Sequence, residues 1–218
     1  MTGEEQKSLS VYEDVLSRDN DNLKALWSAA VLHAKMGHRQ DSKRAKRRHY
    51  ETANKLADRA VENHPDNGYA YYAKAVSAGR MSEILGPGGK VDASRKVKEN
   101  IEKAAERIPG FAPVWHLYGV WHSDVANMSG AVKAAAGLFS SGVPDASNEK
   151  AEEYLDKAIS MDDDNILFHL DFAKHYLKVD QPEKAKPLLE KILTLEPQMK
   201  DDPKYIAEAE EMLSDIES

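Results

Sequence analysis

Residues 163–197 read DDNILFHLDFAKHYLKVDQPEKAKPLLEKILTLEP. His169, Phe172-Ala173 and Tyr176 fall at helical spacing in the first half, and Ala185 and Leu189 do so in the second. Such spacing lines apolar groups along one helix face, so the segment predicts two helices that bury a shared seam. Asp180 and Glu183 stand three apart around Pro182, the pattern of a capping box with proline in the first helical turn. Acidic residues open the segment and Pro197 closes it, and such breaks stop one helix and cap the next.

Working outward, the same break recurs at Asp19-Asn20-Asp21, at His64-Pro65-Asp66 and at Ile108-Pro109-Gly110. Taking Asn20, Pro65, Pro109, Asp163 and Pro197 as equivalent gives spacings of 45, 44, 54 and 34. The last is the period of the tetratricopeptide repeat, TPR, and the others exceed it by 11, 10 and 20, so three repeats carry insertions. The signature repeats in frame: Trp115, Tyr118-Gly119, His122, Ala151 and Leu155; Leu26, Ala29-Ala30, His33, Ala53 and Ala57; Tyr71, Lys74-Ala75, Ala78, Val97 and Ile101. Small residues at 30, 75, 119 and 173 let paired helices approach, and larger neighbours fill the holes. The predicted fold is all-α, a right-handed TPR-like superhelix of antiparallel helix pairs with inserted segments. One domain over 1–218 would hold a half-repeat at 4–19, repeats at about 22–65, 67–109, 112–163 and 165–197, and a capping helix at 203–216. Leu9, Val11, Tyr12, Val15 and Leu16 read as a second helix without its first, either a lone cap or the remainder of a longer chain.

Composition excludes several classes. With no cysteine, disulfides, thiol catalysis and cysteine-ligated zinc are ruled out. No apolar run approaches the ~18 residues of a membrane span, and the polar Met1–Gln6 start is unlike a leader peptide. A cytoplasmic location is expected, which an upstream signal or anchor would change. The net charge of −7 argues weakly against general nucleic-acid affinity.

The middle of the chain resembles the regulator of microtubule dynamics family. The resemblance rests on Arg80-Met81-Ser82-Glu83-Ile84, Val97–Ala104, His116, Gly119, Trp121 and Val125-Ala126-Asn127-Met128-Ser129, and continues through Gly142–Ser147 and Ala151, Leu155 and Ala158. It covers roughly 68–197, insertions included. It implies an α-helical adaptor linked, in eukaryotic members, to microtubules and organelle surfaces, with no catalytic residues. The family's usual membrane anchor and linker are absent from this sequence.

First helices of stacked hairpins line the concave face, the usual binding surface. The residue after each large-aromatic position should point there, namely Trp27, Tyr72, His116 and Leu170, with Val31, Val76, Val120 and Lys174 one turn later. Clamps for terminal carboxylates need Lys, Arg and Asn at such positions, whereas three of these repeats offer apolar or aromatic groups. The expected function is a non-enzymatic scaffold whose groove takes an apolar partner segment such as an amphipathic helix. A lipid-like ligand, or the chain's own apolar segment Ala131–Phe139, are alternative occupants. A metal-dependent enzyme is a remote alternative. No His-Glu-x-x-His occurs, His116/His122 and His169/His175 stand six apart, and only His116 with Asp124 suggests a pairing, so no metal or cofactor is expected. Gly86-Pro87-Gly88-Gly89-Lys90 lacks the first glycine, the Ser/Thr and the preceding strand of a phosphate loop, and reads as a turn. Lys43, Arg44, Lys46, Arg47 and Arg48 form one basic cluster, either a solvated helix face or a patch for an anionic partner.

Overall fold

The computed structural model describes residues 2–137 and 144–218. Among the described residues there are eleven helices and no strand: α1 (Thr2–Arg18), α2 (Leu23–His38), α3 (Lys43–Asn63), α4 (Gly68–Ser82), α5 (Pro87–Arg107), α6 (Ala112–Ala126), α7 (Gly130–Gly137), α8 (Asn148–Met161), α9 (Ile166–Lys178), α10 (Pro182–Ile192) and α11 (Asp202–Glu217). The chain divides into two compact units, residues 1–110 with 128–144, and residues 111–127 with 145–218.

In the first unit α2 pairs with α3 and α4 with α5, while α1 packs on α2 and α7 on α5. The breaks read from sequence begin these helices. The Asn22 side chain accepts the Ala25 N–H at 3.1 Å, and Asn67 accepts that of Tyr69 at 2.9 Å, satisfying donors the first helical turn leaves orphaned. Ala30, Ala53, Ala57, Ala75 and Ile101 are fully buried, as the repeat signature requires. The 10 and 11 extra residues lengthen the second helices, since α3 and α5 each run 21 residues against 11 for α10. Gly86 is the N-cap of α5 and Pro87 lies in its first turn, so this glycine-rich run starts a helix. The apolar segment 131–139 begins on α7, whose packing partner is α5, a second helix and not a groove-lining first helix. Its last two residues lie outside the described residues.

In the second unit α6 pairs with α8 and α9 with α10. Gly119 sits so near α8 that a Cβ there would lie 2.6 Å from Leu155 Cγ and 2.9 Å from its backbone nitrogen. This is the close approach for which the repeat reserves a small residue. Helix α11 covers the end of the α9–α10 pair and buries Ala209 with Ile166, Leu170, Ala173, Leu189 and Ile192.

One expectation fails locally. No capping box forms from Asp180 and Glu183, because Gln181 is the N-cap of α10 and makes no side-chain cap bond. Asp180 instead ends α9 in the left-handed region, with φ at 60°. Its N–H donates to the Leu177 carbonyl at 3.2 Å and the Gln181 N–H to that of Tyr176 at 2.9 Å. This pair of bonds is a Schellman motif, which satisfies the last carbonyls of α9. Asp, with its short polar side chain, tolerates that conformation better than most residues.

Candidate functional site

The residues expected to line the groove fall in both units. In the first unit Trp27, Val31, Tyr72 and Val76 are all half-buried. The Trp27 ring stacks on Tyr69, with centroids 5.1 Å apart and planes 22° apart. Trp27, Val31 and Leu56 pack on Ala30, Ala57 and Ala73, so the small residues of the hairpins seat the larger ones. Burial pushes the Tyr72 hydroxyl up to about 12, against the opposing charge of Arg80, so it stays a neutral phenol at physiological pH. Tyr69 was missed by the sequence reading. Its signal was the spacing of three to Tyr72, which puts both on one face of α4.

In the second unit the corresponding face is polar. His116 Nε2 lies 2.9 Å from Asp171 Oδ2, linking α6 to α9, and its ring stacks on Phe168 with centroids 4.5 Å apart. Lys174 bonds Glu208 of α11 at 2.9 Å and stands 3.9 Å from Asp171. His116, Asp171, Lys174 and Glu208 thus form a chain of alternating polar groups, with Val120 half-buried on α6. Two readings change. The partner of His116 is Asp171 and not Asp124, which receives Lys178 at 2.6 Å. Leu170 is fully buried beneath α11 and offers no surface to a ligand, because the capping helix packs against this face of α9. Asp171 and Glu208 were missed, since charged residues on a helix face ordinarily read as solvated.

The basic cluster opens α3. Lys43, Arg44, Arg47 and Arg48 are exposed, and Lys46 is half-buried with its Nζ 3.5 Å from Glu83. Glu83 is a polar hub at the end of α4. It accepts from the Tyr50 hydroxyl at 2.6 Å, from Arg80 at 2.8 Å and from His38 at 2.9 Å, tying α2, α3 and α4 together. Burial alone would raise its carboxyl, but those three hydrogen bonds outweigh it and hold the group well below the usual carboxylate range.

Four of the other histidines meet partners within their own unit. His122 is buried among Tyr118, Trp121 and Tyr154, with Nδ1 accepting the Ser147 N–H at 3.3 Å. His175 is buried with Nδ1 2.9 Å from Ser123 Oγ. His33 and His49 face each other with Nδ1 atoms 3.1 Å apart. Among the described residues no group of three or more His, Cys, Asp or Glu could hold a metal ion. None of their helices is long and apolar enough to cross a membrane.

Comparison with known proteins identifies the fold and the family. A solved thermophilic TPR protein of Thermus thermophilus superposes with a TM-score of 0.67 at 18% identity, covering 95% of this chain and 91% of that one. The fold is accordingly TPR-like and all-α. Regulator of microtubule dynamics protein 2 of Mus musculus is 23% identical over 216 residues, 96% of this chain and 52% of its own length. Protein 1 of Bos taurus is 27% identical over 161 residues, 72% of this chain and 50% of its own. The chain therefore spans about half the length of these relatives. The family model described as regulator of microtubule dynamics protein 1-3 matches residues 1–217, and the chain belongs to that family.

Proposed function

We propose that the chain is a non-enzymatic scaffold that holds an apolar segment of a protein partner against the first helices of its first unit, α2 and α4. The observation that carries this reading is the half-buried cluster of Trp27 stacked on Tyr69, with Val31, Tyr72 and Val76 on the same two helices. Such rigid aromatics give large contact area at low entropic cost. An amphipathic helix offers the matching stripe of apolar groups one turn apart. The names of the relatives extend the reading to a held partner that acts on microtubules.

A photoreactive phenylalanine analogue in place of Tyr72 tests it. Irradiated in cells and recovered, the chain should carry a covalently joined polypeptide, and Trp27→Glu should remove that product. A joined lipid would instead assign the cluster to an apolar-ligand carrier. Recovery of the chain alone would end the groove reading.

A further inference from the structure

The first two turns of α3 are set apart by their charge. Helices α1, α8, α10 and α11 place Glu or Asp in their first turns, complementing the partial positive charge of a helix N-terminus, and α2, α4, α5, α6, α7 and α9 leave the first turn without an acid. Helix α3 has no acidic residue there and carries five cations within residues 43–48. Arg44 lies three and four residues from Arg47 and Arg48, as does Lys43 from Lys46 and Arg47, so like charges face each other along one side. Neutralisation within the chain is partial. Lys46 reaches Glu83 at 3.5 Å and Arg47 reaches Glu51 at 3.9 Å, while among the described residues no carboxylate pairs with Lys43, Arg44 or Arg48. Like charges one turn apart that the chain only partly neutralises oppose folding locally, and such a face suits a partner of opposite charge.

We infer that the start of α3 is a docking surface for an acidic polypeptide segment, a run of Glu or Asp side chains on a partner protein. Three of the five cations are arginines, whose planar forks bind carboxylates in bidentate fashion. Cations one helical turn apart stand about 5–6 Å from each other. Carboxylates on alternate residues of an extended peptide are about 6.5–7 Å apart, close enough for long side chains to match. Six helical residues span about 9 Å, which suits a short acidic segment better than the long phosphate track of a nucleic acid. A nucleic acid would also gain from exposed rings to stack on, but the nearest rings in sequence are His49, half-buried against His33, and Tyr50, buried with its hydroxyl on Glu83. A membrane surface would gain from an apolar anchor, and the one exposed large apolar residue described in this unit is Val11 of α1. This surface involves none of the groove residues, so it stands or falls separately from the scaffold reading.

The test uses the whole chain and a fluorescent oligoglutamate peptide at low ionic strength, read by anisotropy. Saturable binding should weaken steeply with added salt, as exposed charge pairs do. Lys43→Glu with Arg44→Glu should lose about tenfold or more in affinity, because reversed charges repel the peptide. The same variant should melt about 2 °C or more higher, since acidic groups suit a helix N-terminus. Binding lost with Tm raised supports the docking surface. Absent binding, or binding that the variant leaves intact, overturns it, and so does a lowered Tm, which would assign the cations to the fold. Tighter binding of phosphatidylserine vesicles or of a single-stranded oligonucleotide than of the peptide also overturns it.

Discussion

Asp180 illustrates how one residue can be read in two directions. From spacing it belongs to the helix that follows, as the N-cap of a capping box; in the folded chain it belongs to the helix before it, as the left-handed residue of a Schellman turn. The two roles predict opposite signs for one substitution. Loss of an N-cap side chain costs about 1 kcal/mol. Glycine at a left-handed C-terminal position relieves about 1 kcal/mol of backbone strain, less its entropic cost in the unfolded chain. Asp180→Gly should therefore raise stability by about 0.5 kcal/mol in urea unfolding, and a clear loss would restore the capping-box role. Gly119 carries no such ambiguity. Its closeness to Leu155 follows from the repeat signature, and sequence and structure agree on it.

Among the elements, α11 was foreseen as a capping helix over 203–216, but which groove position it would cover was not. It buries Leu170, so a position that periodicity directs to the groove becomes core. It also supplies Glu208 to Lys174. Its anchor is Asp202, 4% exposed, whose carboxylate accepts the N–H groups of Gln198 at 2.8 Å and Met199 at 2.7 Å. Asp202→Ala should cost about 1–3 kcal/mol. Amide exchange should quicken in α11 well before it does in α2 to α5. Unchanged exchange in α11 would show that its apolar face alone holds it. The longer second helices follow the same pattern: extra residues between breaks were legible as 10 and 11, yet that they prolong α3 and α5 was not. An insertion's length is a property of the chain, whereas its conformation depends on what it can pack against.

For the whole molecule, stability should fall in mild acid. Burial, and then the neighbouring His49, lower His33 from 6.5 to about 4. Burial and Arg48 lower His49, and burial leads the lowering of His175. A folded pKa below the unfolded one means the unfolded chain binds more protons, so this stability is present above pH 6.5 and is lost as pH falls toward 4. For His33 the loss amounts to about 2–3 kcal/mol. Glu83 acts in the same direction at lower pH: its depressed carboxyl stabilises the fold above the ordinary carboxylate value and loses that contribution as pH falls further. Urea midpoints measured from pH 7 to pH 4 should decline, and His33→Asn should flatten much of the slope between 6.5 and 4. A wild-type profile level across that range would contradict the assignment of neutral, buried imidazoles.

The sequence by itself determined the helical pairs, their breaks, the small residues at their crossings and the apolar residues opposite. Each of these is set by interactions within a helix or between partners one repeat apart, and period 34 records them directly. Tertiary structure decided which of the outward positions remain accessible. Trp27 found Tyr69, His116 found Asp171, and Leu170 disappeared under α11. Those outcomes depend on contacts between helices, where a rotation of one residue exchanges a buried leucine for an aspartate, and the repeat spacing does not encode that rotation.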